Sequence, residues 1–512
     1  MRASHKILGH GTLPRLALHT LVTAAVFQLA SCGGGGGGGS SSAIPPSVEL
    51  QGTRVSGTGA NASDWDAATC TNTRQKSWVR ADLNEDYLFY REAPLTAIEP
   101  TTFGGSVIDL FDAYTTGGLP QKDRFSFAIT QAEADAAFQA GTSTGIGATF
   151  VRDPTTKQIR IAFVDPNGPA FTAGLRRGMQ LQSVNNTPLA ISNGQPVLNQ
   201  VQFDALFASP EGTAVTVGFT TPPSITVTAF TLATATFGET PVLTAKVLDG
   251  TAAPGKVGYL AHTSFVTPIA ETQLADAFKT FAAAGVTDLV VDLRYNGGGY
   301  IFIASQLAYM VAGSARSANK TFEAFVYNDK RSAENQSEPF RTTITNFLDA
   351  ANPRQGEALS QLNLNRVFVL ATGNTCSASE AFVSALRGVD VEVVMVGSTT
   401  CGKPYGFSQE NNCTLSYFPL EFEGRNQKGQ VVPVTGLTPT ASCTTTDDLD
   451  HELGDTSERM LSSSLSYIVN GACTTTTASA KTLGQPRKPG ALIEEQEFVR
   501  AHRTIQLLPK SR

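Results

Sequence analysis

Between residues 255 and 472 strand-like and helix-like runs alternate, and that alternation confines the segment to an α/β layer architecture. Residues 270–284 read as a helix, and Thr287-Asp288-Leu289-Val290-Val291-Asp292-Leu293 as a strand. A helix over 301–311 follows. Arg366-Val367-Phe368-Val369-Leu370 is again strand-like and feeds a helix over 377–386, before a further strand over 391–396.

The segments on either side have other patterns. Over 65–140 apolar residues recur three to four apart, as in Trp78-Val79-Arg80-Ala81-Asp82-Leu83 and Ile108-Asp109-Leu110-Phe111, which predicts a small helical domain. Over 141–235 the pattern turns to β. Residues 158–164 alternate as a strand, Pro166 to Gly168 punctuate it, and residues 169–175 form a short helix ending near Gly178. Strands are expected over 214–219 and 225–228. The expected fold is therefore multidomain α/β: a helical N-terminal domain, a small β domain, and an α/β core over 236–473. The tail, 474–512, is mostly unpatterned and is expected to be disordered apart from a short helix near 494–502.

The chain has 512 residues, room for two to four domains, and 41% are apolar, enough for a sizeable core. Lys and Arg number 38 against 44 Asp and Glu, a net charge of −6, which argues against a nucleic-acid partner. No uncharged apolar run reaches the ~18–20 residues of a membrane helix. Collagen, coiled coil and multipass transporter are excluded on these grounds.

Residues 1–31 read as an address. Arg2, Lys6 and Arg15 precede a short apolar stretch with no acid, as in a signal peptide. It ends in Leu29-Ala30-Ser31-Cys32, which resembles a bacterial lipobox. By that resemblance Cys32 is the lipidated first residue of the mature chain, and the protein is anchored in the cell envelope, facing the periplasm. The plainer alternative is an ordinary signal peptide that ends near a cysteine. Gly33–Gly39 and Ser40–Ser42 open a tether-like linker over 32–64.

Six cysteines remain: Cys70, Cys376, Cys401, Cys413, Cys443 and Cys473. An exported chain can oxidise them, in any of 15 pairings. Cys401 and Cys413 are the closest pair and could staple one loop. No C-x-x-C occurs, and beyond the address only His262, His451 and His502 remain. No metal site and no organic cofactor is expected.

Two loops have the composition of a reaction site. Asp292-Leu293-Arg294-Tyr295-Asn296-Gly297-Gly298-Gly299 follows a buried strand, and its glycines let backbone approach a ligand. Thr375-Cys376-Ser377-Ala378-Ser379-Glu380 sits at a strand-to-helix junction, where a serine hydroxyl meets the positive end of a helix. Gly402-Lys403 follows the next strand. The bland reading is a helix-capping serine and a surface lysine. Gly141-Thr142-Ser143-Thr144-Gly145 also fits G-x-S-x-G, but a helix precedes it and a strand follows, the reverse of what that motif needs. Ser317-Ala318-Asn319-Lys320 fits S-x-x-K by chance, without its partner motifs.

Together the D-L-R-x-N-x-G-G, S-A-S-E and G-K segments resemble the C-terminal processing, or tail-specific, serine protease family. The upstream region, with Gly145-Ile146-Gly147 before a strand, Pro169-Ala170 and Gly178-Met179, resembles a PDZ domain. The resemblances imply a PDZ-like domain over 141–235 and a crotonase-like α/β core. They imply Ser377 as nucleophile, Lys403 as general base, Glu380 beside the pair, and an oxyanion hole from the N–H groups of Gly298 and Ala378. Gly145, Ile146 and Gly147 would hold a peptide's terminal carboxylate. The implied substrate is a polypeptide bound through its C-terminus, and an adaptor protein or an oligomer fits the same scheme. One position departs: where many members have Gln four residues after the Lys, this chain has Phe407, with Gln409 the nearest candidate. That departure supports the alternative of a catalytically inactive peptide-binding lipoprotein.

Overall fold

The computed structural model describes residues 70–136, 138, 141–207, 209–267, 269–345, 353–474 and 506–507. The expected signal peptide, Cys32, the Gly/Ser-rich stretch and the helix expected near 494–502 lie outside the described residues. No helix among the described residues is long and apolar enough to cross a membrane.

Helix α1 (Asn72–Asp86) is opened by Thr71, whose side chain accepts from the Arg74 N–H. Helix α2 (Val107–Tyr114) is opened by a reciprocal pair, Ser106 with Asp109. Strand β1 (Phe127–Thr130) follows, where only helix was expected. It pairs antiparallel with residues 415–418, Phe127 opposite Phe418. Trp78 and Phe111 both pack on Tyr417, at 5.3 and 5.5 Å between ring centroids. Leu83, Leu110 and Tyr114 share one continuous core with Leu289, Phe382 and Phe418. The N-terminal segment is thus built into the α/β core rather than standing as a separate helical domain.

Residues 142–238 have their own small core around Ile146, Phe150, Ile161, Leu181, Val217 and Phe219. Strands β2 (Ala148–Arg152), β3 (Ile159–Val164), β4 (Gln180–Val184), β5 (Ala214–Thr220) and β6 (Thr228–Ala233) form an antiparallel sheet in the order β6-β5-β4-β3-β2. Helix α3 (Gln200–Phe207) lies between β4 and β5 in the chain. The last strand is shifted from the expected 225–228 because residues 221–227 make the turn that sets Thr228 opposite Phe219.

The central sheet has the order β7-β8-β9-β11-β12: β7 (Val242–Val247), β8 (Lys256–His262), β9 (Val286–Asp292), β11 (Arg366–Ala371) and β12 (Glu392–Gly397). Only β7 runs antiparallel. Val290, Phe368 and Val394 are in register. These three face helix α7 (Arg459–Asn470), with Met460 and Leu461. Their chain neighbours Val291, Val367 and Val393 face the other core, beneath α4 (Ile269–Ala284), α5 (Ile301–Ala312) and α6 (Ala378–Gly388). Both sheet faces are covered, which is why these strands read as unbroken apolar runs.

Short strands complete the site: β10 (Gly299–Tyr300), β13 (Tyr405–Gly406) and β14 (Gln506–Leu507). β14 falls in the tail expected to be disordered.

Candidate active site

The glycine loop leaves the carboxyl end of β9, and Asn296 ties it down. Its Nδ2 donates to the His262 carbonyl at 3.1 Å, and its carbonyl accepts from the Cys376 N–H at 3.1 Å. Its Oδ1 accepts from the Gly298 N–H at 2.9 Å and from Ser379 Oγ at 3.0 Å. The Gly298 N–H is therefore taken up by Asn296, not held open for an oxyanion as expected. At Gly299, with φ +137°, a Cβ would stand 2.2 Å from the Phe265 carbonyl carbon, so no other residue fits there.

Ser377 is the cap residue of α6, at φ 58° and ψ −117°. A non-glycine residue in that region costs about 1–3 kcal/mol and is held only by its surroundings. Its Oγ is buried and has no hydrogen-bond partner among the described residues. By contrast, the Ser379 hydroxyl is engaged by Asn296. Ala378 is the first helical residue, so the helix has no acceptor for its N–H.

Glu380 joins the two halves of the site. Its Oε2 accepts from the backbone N–H of Ser377 at 3.0 Å and of Lys403 at 2.9 Å. Its Oε1 accepts from the Gly402 N–H at 2.9 Å and from Thr400 Oγ1. Burial raises its pKa, partly offset by these donors. In these contacts Glu380 is a positioning residue, since it grips backbones rather than reacting side chains. The disulfide Cys376–Cys401 links the same two segments, and the Cys401 N–H donates to the Thr375 carbonyl at 3.0 Å.

The Lys403 side chain is 1% exposed. Burial brings its pKa down to about 7, against the opposing pull of Asp123 and Glu380. Its Nζ lies 4.0 Å from the centroid of the Phe407 ring and 5.5 Å from that of Phe125. The Gln of the related motif is thus replaced by an aromatic face, which favours the cation weakly. Gln409 is engaged elsewhere, donating to Asn411 at 3.0 Å and Ser416 at 3.2 Å. Asp123 and Phe125 escaped the sequence reading because nothing in spacing ties them to a lysine so far along the chain.

A second buried cluster adjoins the loop. Arg294 donates to Asp292 at 2.7 Å, to Asp447 at 2.7 Å and to Glu458 at 2.8 Å. Arg177, from the small β unit, donates to Tyr295 Oη at 2.6 Å and to Asp447 at 2.8 Å. Tyr295 in turn donates to Asp447. Burial works against the charge on Asp447, but Arg177 and Arg294 hold its carboxyl well below the usual range.

Gly145, Ile146 and Gly147 precede β2, the edge strand of its sheet. The Ile146 carbonyl accepts from Ala170 at 2.7 Å, and the Gly147 carbonyl from Asp165 at 2.9 Å. The Ile146 and Gly147 carbonyls are thus anchored beside a strand that pairs on one side only among the described residues, while Gly145 pairs with Ala235.

The six described cysteines pair as Cys70–Cys413, Cys376–Cys401 and Cys443–Cys473. The expected Cys401–Cys413 staple is not made, because Cys413 meets Cys70, just before α1, and Cys401 lies beside Cys376. Cys376, Glu380 and Cys401 are the one cluster of metal-ligand types among the described residues, and its sulfurs are bonded to each other. His262 is buried, and burial lowers its pKa to about 3, so it is neutral at any working pH.

Residues 256–411 match the model of peptidase family S41. Among solved structures, a candidate S41 protease from Bacteroides fragilis shares the fold, with a TM-score of 0.56 and 22% identity. The match covers 76% of this chain and 96% of that one. The photosystem II D1 C-terminal processing protease matches with a TM-score of 0.46 and 19% identity, over 73% of this chain and 93% of that one. No curated protein matches.

Proposed function

With residues 256–411 a peptidase family S41 domain, we propose that this serine peptidase cleaves polypeptides by a Ser377/Lys403 acyl-enzyme mechanism. The observation that carries the reading is the shared grip of Glu380 Oε2. It holds the backbones of Ser377 and Lys403 together while burial leaves the lysine near neutrality. Neutral Lys403 takes the hydroxyl proton as Ser377 Oγ attacks the peptide carbonyl. The protonated lysine then returns that proton to the leaving amine. Water repeats the sequence on the ester, with Lys403 again as base.

The oxyanion meets the Ala378 N–H first. A second donor from Gly298 requires its bond to Asn296 to be exchanged for one to the oxyanion. Lys403→Ala and Ser377→Ala are each expected to abolish hydrolysis of labelled casein and to leave the fold intact by circular dichroism. Lys403→Arg is expected to do no better, because Arg stays protonated. A folded Lys403→Ala enzyme with near wild-type turnover would overturn the mechanism.

The edge strand β2 beside Gly145–Gly147 supports a PDZ-like role, capturing substrates by an extended C-terminus. Peptides with a free apolar C-terminus are expected to bind the full chain better than their amidated forms, and equal binding would end that reading. Three disulfides support an exported, oxidising location, in keeping with the lipobox at Cys32. Cys32→Ala is expected to move the protein from the membrane to the soluble envelope fraction. An adaptor or a second copy of the chain is compatible with this scheme.

A further inference from the structure

Strand β10, Gly299–Tyr300, continues the glycine loop and has two backbone edges. One faces Phe265, whose N–H donates to the Gly298 carbonyl at 2.9 Å and whose carbonyl accepts from the Tyr300 N–H at 2.9 Å. The other edge is occupied by β14, Gln506–Leu507, in parallel register: Gly299 opposite Gln506 and Tyr300 opposite Leu507. β14 also lies against β13, Tyr405–Gly406, which begins two residues after Lys403. A piece of the chain's own tail therefore runs between the oxyanion loop and the lysine segment. The two segments it bridges are the ones that carry Gly298 and Lys403. Ser377 and Lys403 are each only 1% exposed, so a polypeptide reaches them only after something in this arrangement moves.

The sequence suits the position. Ile505-Gln506-Leu507-Leu508-Pro509 is uncharged and mostly apolar, and the proline biases the residue before it to an extended backbone. The 32 residues between Cys473 and Gln506 reach roughly 100 Å if extended, ample for the return to the site.

We propose that the β10 edge is a strand-accepting peptide site and that Gln506–Leu507 is its in-cis occupant, competing with substrates for the reaction centre. The proposal rests on the peptidase reading above for its consequence, but the docking itself is a backbone pairing that stands apart from catalysis. Proline at both positions removes the N–H donors of β14.

The test compares the full chain with Gln506→Pro/Leu507→Pro, each treated with a fluorophosphonate probe of Ser377. The variant is expected to be labelled about 5- to 20-fold faster, as fits the loss of one or two backbone hydrogen bonds. A synthetic peptide of residues 501–512 is expected to slow that labelling, and the same peptide carrying both prolines is not. Equal labelling rates, abolished in both backgrounds by Ser377→Ala, would overturn the proposal and leave the peptidase reading standing. If neither protein is labelled, the peptidase reading fails, and anisotropy of the fluorescent 501–512 peptide decides the docking. Tighter binding to the variant than to wild type supports the docking, and equal binding overturns it.

Discussion

Arg294 and Lys403 are both buried cations, and the fold treats them oppositely. Arg294 is ringed by Asp292, Asp447 and Glu458; burial works against its charge, but those carboxylates raise its pKa well above the ordinary value. Lys403 has an aromatic ring at 4.0 Å, and burial outweighs the opposing pull of Asp123 and Glu380, so its pKa falls to about 7. The difference shows what neutralisation decides. A cation bonded to several carboxylates is a fixed structural charge, whereas a desolvated one can give up its proton.

The comparison breaks first at Arg294. Arg294→Met leaves the buried carboxylates of Asp292 and Glu458 without their cation and Asp447 with Arg177 alone, and a loss of about 3–5 kcal/mol is expected in chemical denaturation. Little or no loss would mean that water already screens the cluster. Lys403→Met is expected to go the other way. The unfolded chain keeps the lysine proton up to the ordinary 10.5, the folded one only to about 7. Wild-type stability therefore falls as pH drops from 10.5 towards 7, and the full penalty persists below 7. The Met variant escapes it, with an expected gain of ~2–3 kcal/mol at pH 6, under the ceiling set by ~1.4 kcal/mol per pKa unit. A destabilised Met variant would show that the lysine charge is held, not strained.

Two kinetic measurements sharpen the contrast. The wild-type rate is expected to rise about tenfold per pH unit up to a midpoint near 7 and then level, with no histidine limb. His262→Phe, which keeps a ring against Phe265, should leave that midpoint in place. The smallest effect is expected from Phe407→Leu. Losing the ring face removes about 0.5–1 kcal/mol of support for the cation, so the midpoint moves down by roughly half a pH unit. An upward move would assign the ring a purely desolvating role.

What the sequence made legible follows from how locally each feature is encoded. Strands β9, β11 and β12 and helices α4, α5 and α6 fall within two residues of expectation, because covered sheet faces impose long apolar runs. Ser377 and Lys403 were visible through short motifs at element ends. Strand β1 was not, because Phe-Ala-Ile-Thr acquires strand character only from its pairing with residues 415–418. The Arg294 cluster draws on β9, on Asp447 and on the cap of α7, and no single stretch announces it. The disulfides follow spatial neighbours, and Cys70 meets a partner 343 residues away.

That last bond sets a schedule for biosynthesis. Asp123 and Phe125, which shape the surroundings of Lys403, belong to a segment whose packing partner Tyr417 and covalent partner Cys413 emerge late. At ~5–20 residues per second, the intervening chain takes roughly 20–70 s to synthesise. Ser377 and Lys403 themselves are made only in the last part of that stretch, so the early and late segments that surround the lysine can meet only once the chain is nearly whole.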